Sequence, residues 1–245
     1  MDADREASEQ VRTSSLLGGL FTEGVIAFEA RELLAADTLR AEEARDVARA
    51  VPKRVAEFAT GRACARRALA ELGVTGFALR VGADREPLWP EGLTGSITHT
   101  SGFCGVVVAE KTAALSLGVD AELANAVHRR LWRQIATEEE ARWLEGMRAD
   151  RSVAMASVLF SAKEAFFKCQ FPLTREWLNF GDVSAHVGRR NFRITPTRPL
   201  ALEGLVAAPW MGRYAFEGPL VVSGVILPAR LALSNSTVRR RRPGR

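Results

Sequence analysis

Two short segments carry residues able to hold a divalent cation beside a phosphate. Gly118-Val119-Asp120-Ala121-Glu122 places two carboxylates two residues apart, and Phe160-Ser161-Ala162-Lys163-Glu164-Ala165-Phe166-Phe167-Lys168 adds a third between two lysines. Carboxylate oxygens suit a hard cation such as Mg²⁺, which keeps bound water and shares its coordination sphere with substrate phosphates. Lysines beside such an ion act as point charges on phosphate oxygens. Each segment alone has a plainer reading. Glu164 and Lys168 could be a solvated i,i+4 pair worth a few tenths of a kcal/mol, and Asp-x-Glu is common where strands turn. Their joint occurrence points to chemistry.

The elements that carry them follow from periodicity. Residues 115–120 read as a strand, on which Asp120 and Glu122 project to one face. Residues 156–170 read as a helix, because Val158, Leu159, Ala162, Ala165, Phe166 and Cys169 form one apolar stripe at helical spacing. Glu164 and Lys168 sit off that stripe.

A third segment, Gly95-Ser96-Ile97-Thr98-His99-Thr100-Ser101-Gly102, precedes the apolar run 106–109. The order Gly-Ser-Ile-Thr-His, then Gly-Val-Asp-Ala-Glu, then Phe-Ser-Ala-Lys-Glu-x-x-x-Lys resembles the 4′-phosphopantetheinyl transferase superfamily, and within it the branch typified by enterobactin synthetase component D. The arginine-bearing run Arg54-Val55-Ala56-Glu57-Phe58 with Gly61-Arg62-Ala63-Cys64-Ala65-Arg66 extends the resemblance. So do Arg85-Glu86-Pro87-Leu88-Trp89-Pro90-Glu91-Gly92 and, more loosely, Trp210-Met211-Gly212-Arg213-Tyr214. It covers residues 25 to 230.

The resemblance implies an α+β fold, a pseudo-dimer of two similar α/β halves with the active site in the cleft between them. It implies transfer of the phosphopantetheine arm of coenzyme A to a serine of an apo acyl or peptidyl carrier protein. Asp120, Glu122 and Glu164 match the family's Mg²⁺ ligands, with Mn²⁺ as an alternative ion. Glu164 matches the candidate base and Lys168 the group that neutralises the leaving 3′,5′-adenosine diphosphate. Thr98 and His99 match phosphate contacts, as do Arg54 and Arg62, which stand about 12 Å apart along one helix. Lys163 and Arg85 would add charge toward the coenzyme. Thr98 stands for a frequent serine, and Ala121 lies where some relatives supply a polar group.

Taken without the family, Arg54 and Arg62 would be solvated helix residues and His99 a structural histidine. His128 and His186 have no motif around them.

The chain has 245 residues, 47% hydrophobic and 26% charged, with a net charge of +5; this is the balance of an ordinary soluble protein. Arg239 to Arg242 and Arg245 account for all of that charge, which argues against nucleic-acid binding by the body. Cys64, Cys104 and Cys169 are an odd count without C-x-x-C spacing, and Cys64 and Cys169, in helices among apolar residues, read as buried reduced thiols. The acidic start lacks the profile of a signal peptide, and a cytoplasmic monomer is expected. A metal-dependent phosphohydrolase is the rival enzyme class.

Along the chain, residues 1–20 read as loosely ordered, 25–30 as a strand and 35–50 as a charged helix. Pro52 opens the arginine helix, which ends near Gly73, and 76–81 reads as a strand. A helix is expected over 123–134. Thr137-Glu138-Glu139-Glu140 is a capping box opening another, with Trp143 and Leu144 on its apolar side. Short strands are expected at 183–187, 192–194, 214–216 and 220–227. The halves are expected to span 1–116 and 117–238, followed by a disordered basic tail, 239–245.

Overall fold

The computed structural model describes residues 10–21, 24–201 and 210–229. The tail at 239–245 lies outside them. The elements in chain order are β1 (Val11–Thr13), α1 (Ser15–Gly18), β2 (Val25–Ala30), α2 (Ala41–Asp46), α3 (Pro52–Glu71), β3 (Leu93–Thr100), β4 (Phe103–Glu110) and β5 (Ala114–Leu123). They continue with α4 (Trp132–Ile135), α5 (Glu138–Glu145), α6 (Ala149–Thr174), β6 (Val183–Val187), β7 (Asn191–Pro196), β8 (Trp210–Glu217) and β9 (Leu220–Pro228).

The strands form two antiparallel sheets, ordered β1-β2-β4-β3 and β5-β9-β8-β7-β6. One arrangement occurs twice. A first strand (β2 or β5) leads through a long helix (α3 or α6) to a hairpin (β3–β4 or β8–β9). The second strand of that hairpin lies antiparallel beside the first strand. Each hairpin turns at a glycine with positive φ, Gly102 at 70° and Gly218 at 56°, a conformation a side chain would strain.

Each helix covers its own sheet. Ala63, Cys64, Ala65, Ala68 and Leu69 of α3 pack on Phe28, Ala30, Val106 and Val108. All six residues of the apolar stripe on α6 are fully buried against Phe192, Ile194, Trp210 and Val225. Pro52 sits at the first position of α3, where its missing N–H costs nothing. A third core joins the halves: Leu17, Leu20 and Phe21 near α1 pack with Val107 and Ala109 of β4 and with Leu117, Val119, Ala121 and Val222 of the second sheet. Among the described residues no helix is long and apolar enough to cross a membrane.

Several expected elements differ. Residues 11–18 are ordered, since Ser14 caps α1 and Leu17 is fully buried in the third core. Residues 35–50 make only a 3-10 turn, Ala36–Thr38, and the short helix α2, interrupted at the extended Arg40. The break lets the fully buried Glu43 accept from Arg40 N, Arg66 Nη1 and Leu79 N. Residues 76–81 enter no sheet. Side chains take their backbone groups instead: Leu79 O accepts from Arg62 Nε, and Val81 N donates to Asp46. A backbone satisfied in this way needs no ladder.

Residues 123–134 begin with the last residue of β5, and only Trp132–Ile135 is α-helical there; Val127 N is held by Ser157 Oγ. Thr137 and Glu140 do form the capping box of α5, but Leu144 alone is buried and Trp143 is exposed. All three cysteines are free and buried. Burial holds the Cys169 thiol at a pKa of about 12. In Cys64 the hydrogen bond with Cys104 raises the pKa, and burial adds to it.

Candidate active site at the seam of the two sheets

The sheets meet where β3 lies along β5, joined by hydroxyls. Ser96 Oγ accepts from Val119 N at 3.1 Å, and Thr98 Oγ1 accepts from Ala121 N at 2.9 Å. Serine and threonine at these positions therefore carry hydrogen bonds that a sheet would make with backbone. Thr98 also donates to Asp120 Oδ1, at 3.4 Å. The family-matched Thr98 thus fixes β5 directly at Asp120.

Behind β5, α6 approaches so closely that no side chain fits at Gly118. Ser116 Oγ donates to Cys169 O at 2.6 Å, and a Cβ on Gly118 would overlap the Ala165 carbonyl. Only glycine allows this contact. It brings Lys168 Nζ to 2.7 Å from Asp120 Oδ1 and 3.2 Å from Val119 O.

Asp120, Glu122 and Glu164 form a like-charged group around that single lysine. Burial raises Glu122 to a pKa of about 7, with the neighbouring Asp120 and Glu164 adding to it and Lys168 opposing. Glu164 is raised first by burial and also by Asp120. Asp120 is 5% exposed, and its Oδ2 is buried without a hydrogen-bond partner. An orphaned carboxylate oxygen among other carboxylates is a position where a cation would be stabilised, so these residues fit a hard divalent ion. Among the described residues no group of three or more acidic, histidine or cysteine side chains is gathered closely enough to hold a metal ion. The expected three-acid cage is therefore not assembled in this structure; Asp120 and Glu164 act on Glu122 only as neighbouring charges, with Lys168 as the counter-charge.

On the other side of the seam, Arg54 at the start of α3 donates from Nη1 to His99 Nε2 at 2.6 Å. A guanidinium only donates, so Nε2 must accept and the ring proton resides on Nδ1. Nδ1 faces Glu57 at 3.8 Å, and Glu57 also lies 3.5 Å from Arg54. Burial lowers the His99 pKa, with Arg54 and Lys168 adding to the effect; the ring is neutral at pH 7. Glu57 was not singled out from sequence, although its i,i+3 spacing from Arg54 was a signal of contact.

Two expected coenzyme contacts, Lys163 and Arg62, are engaged with protein groups instead. Lys163 is buried, and its ammonium donates to Ile135 O at 3.0 Å, Glu140 Oε2 at 2.7 Å and Phe180 O at 2.8 Å. An ammonium has three protons; all are used, so Lys163 braces a corner and offers no charge to a phosphate. Adjacent residues on a helix diverge by about 100°, which sends Lys163 away from Glu164's face. Arg62 is also buried. Its Nε donates to Leu79 O at 2.6 Å, its guanidinium lies 3.9 Å over the Phe58 ring, and burial lowers it to about 10. Arg85 is exposed at a turn in the first half with a φ of 67°.

Beside Glu164 opens a cleft of about 210 Å³, lined by Phe167, Trp177, Leu178 and Phe180 among others. Trp177 packs at a tilt against Phe167 and Phe171 and stays 64% exposed. The site is thus an acidic group and a neutral histidine at one seam, next to an aromatic slot.

Known proteins carry the same pattern. Residues 42–109 match the profile of the 4′-phosphopantetheinyl transferase N-terminal domain, and residues 116–204 match that of the 4′-phosphopantetheinyl transferase superfamily. The 4′-phosphopantetheinyl transferase Svp of Streptomyces mobaraensis is 40% identical over 193 residues, 77% of this chain and 78% of that protein. The 4′-phosphopantetheinyl transferase PptT of Mycobacterium tuberculosis is 37% identical over 202 residues, 76% of this chain and 85% of that protein. The enterobactin synthase component D of Salmonella typhi is 35% identical over 118 residues, about half of each chain. With both halves matched and the motif residues gathered at their seam, the chain belongs to the 4′-phosphopantetheinyl transferase superfamily.

Proposed function

We propose that this enzyme moves the phosphopantetheine arm of coenzyme A onto a serine of an apo carrier protein, with a divalent cation, Mg²⁺ foremost, held by Asp120, Glu122 and Glu164. The observation that supports this most is the orphaned Asp120 Oδ2 beside Glu122 and Glu164, whose pKa values are raised by burial and further by the charge of Asp120. When bound, the cation would neutralise diphosphate charge and polarise the phosphorus centre. The family likeness supports coenzyme A as the donor and carriers of non-ribosomal peptide, polyketide or siderophore assembly as acceptors.

The residues of the chain then have separate tasks. Arg54, oriented by its hydrogen bond to neutral His99, presents guanidinium donors to phosphate oxygens from the first half. Glu164, with its carboxyl raised by burial, accepts the proton of the carrier serine as the serine oxygen bonds to phosphorus. The phosphorus–oxygen bond to the adenosine diphosphate moiety breaks in the same displacement. Lys168, within reach of that region from α6, offsets the charge that develops on the leaving phosphate. The aromatic slot beside Glu164 supplies apolar walls for the uncharged amide arm.

Incubation with coenzyme A, Mg²⁺ and an apo carrier, followed by intact mass of the carrier, tests the proposal. A gain equal to one phosphopantetheinyl group supports it. Coenzyme cleavage with an unmodified carrier would favour a phosphohydrolase instead. A cytoplasmic, monomeric enzyme belongs to the same proposal; cell fractionation and sizing chromatography check it.

A further inference from the structure

Among the described residues, only two non-glycine residues have left-handed backbones, Arg85 at φ 67° and Arg175 at φ 58°. They lie far apart in sequence, yet their segments are bonded. Arg175 ends α6 as its left-handed cap, with its N–H on Phe171 O at 2.9 Å and its guanidinium 5.6 Å from the Phe171 ring. From there Nη1 donates to Glu86 and stands 3.7 Å from Asp84. Both acids flank Arg85 on the turn closed by Gly82 N–H to Glu86 O at 2.8 Å. Glu86 also accepts from Asp84 N at 3.0 Å, so it shapes the turn while holding Arg175.

Strained backbone away from glycine persists where the surroundings over-determine it, and it collects at functional positions. Here the strain lies at both ends of one bridge between the halves. Arg175 is the step between α6, which carries Glu164 and Lys168, and the Trp177–Phe180 wall of the slot. The turn it holds presents Asp84 and Glu86, two negative charges, beside Arg85. Coenzyme A is a polyanion, and those charges would repel it unless neutralised.

We propose that Arg175 is a positioning residue: it latches the Gly82–Pro87 turn to the end of α6 and offsets part of the charge of its two carboxylates, so that Arg85 faces the polyanionic end of coenzyme A. The inference deepens the transferase reading and rests on it.

Arg175→Gly separates this role from a structural one. Glycine is the preferred residue at a left-handed helix cap, so the variant keeps its melting temperature while losing the bridge. Loss of that one positive charge beside the two carboxylates, near a polyanion at low ionic strength, should raise KM and Kd for coenzyme A about fivefold, with kcat little changed. Salt should shrink the difference, because screening acts over about 8 Å at 0.15 M. Arg175→Lys, which retains the charge, should restore most of the affinity.

Unchanged Kd and KM in Arg175→Gly would overturn the latch, whether or not the melting temperature fell. So would a fivefold loss that Arg175→Lys fails to repair. Wild-type protein that does not bind coenzyme A by calorimetry would overturn the transferase reading, and the latch with it. Wild-type binding together with unaffected variants would overturn the latch alone.

Discussion

Lys163 offers a sharp test because sequence and structure assign it different tasks. Its side chain is 1% exposed, and its three donors end on Ile135 O, Glu140 and Phe180 O. Removing one member of a buried ion pair costs about 3–5 kcal/mol. Glu140 would keep its bonds from Thr137 N and Ala185 N, both 2.6 Å, which places Lys163→Met near the lower end, about 3 kcal/mol. For a chain of this size each kcal/mol lowers Tm by about 2–4 °C, so a fall of roughly 6–12 °C is expected. Differential scanning calorimetry measures it. KM for coenzyme A should change less than about twofold, since no proton of Lys163 is free for phosphate. Adding Glu140→Gln should recover part of the stability, because it removes the uncompensated charge. A normal Tm with a tenfold rise in KM would refute the reasoning and return Lys163 to the coenzyme site.

Other outcomes follow from the same geometry. Gly118→Ala should yield little folded protein in a solubility assay, because the new methyl overlaps the Ala165 carbonyl and sits 2.7 Å from Cys169 N; a soluble, active variant would show that α6 can retreat from β5. Asp120→Asn should weaken Mg²⁺ use, read as a raised metal requirement in the transfer assay; near-normal turnover at low magnesium would contradict the ligand assignment. Glu29 is pushed up by burial, but hydrogen bonds from Ser14, Arg12 and Arg31 prevail and hold it below its ordinary value. Its stabilisation is therefore present above about pH 4.5 and lost as pH falls through the lowered value. Glu29→Gln should flatten the acid limb of a Tm-against-pH curve, and an unchanged limb would contradict this sign.

What could be read from the sequence was whatever depended on periodicity and local chemistry. The stripe from Val158 to Cys169 named the buried face of α6 because helical spacing alone determines it. Asp120 and Glu122 fell on one face of β5 by strand alternation. What could not be read was decided by distant partners. Residues 76–81 have the composition of a strand, but Glu43, Arg62 and Asp46 satisfy their backbone groups from other segments. Lys163 stands beside Glu164 in the motif, yet helix geometry turns it toward Glu140, 23 positions earlier. The bridge from Arg175 to Glu86 spans 89 positions, and no local pattern encodes it. The hydroxyls of Ser96 and Thr98 were seen as a motif, while their role in joining two sheets needed the fold.

The central claim is that Asp120, Glu122 and Glu164 act together on one bound ion to drive phosphopantetheine transfer. Parallel reactions of wild type and Glu164→Gln with coenzyme A, Mg²⁺ and an apo carrier, resolved by intact mass, test it most directly. The account predicts complete modification by wild type and a rate at least about a hundredfold lower in the folded variant. Comparable modification by both proteins would contradict it.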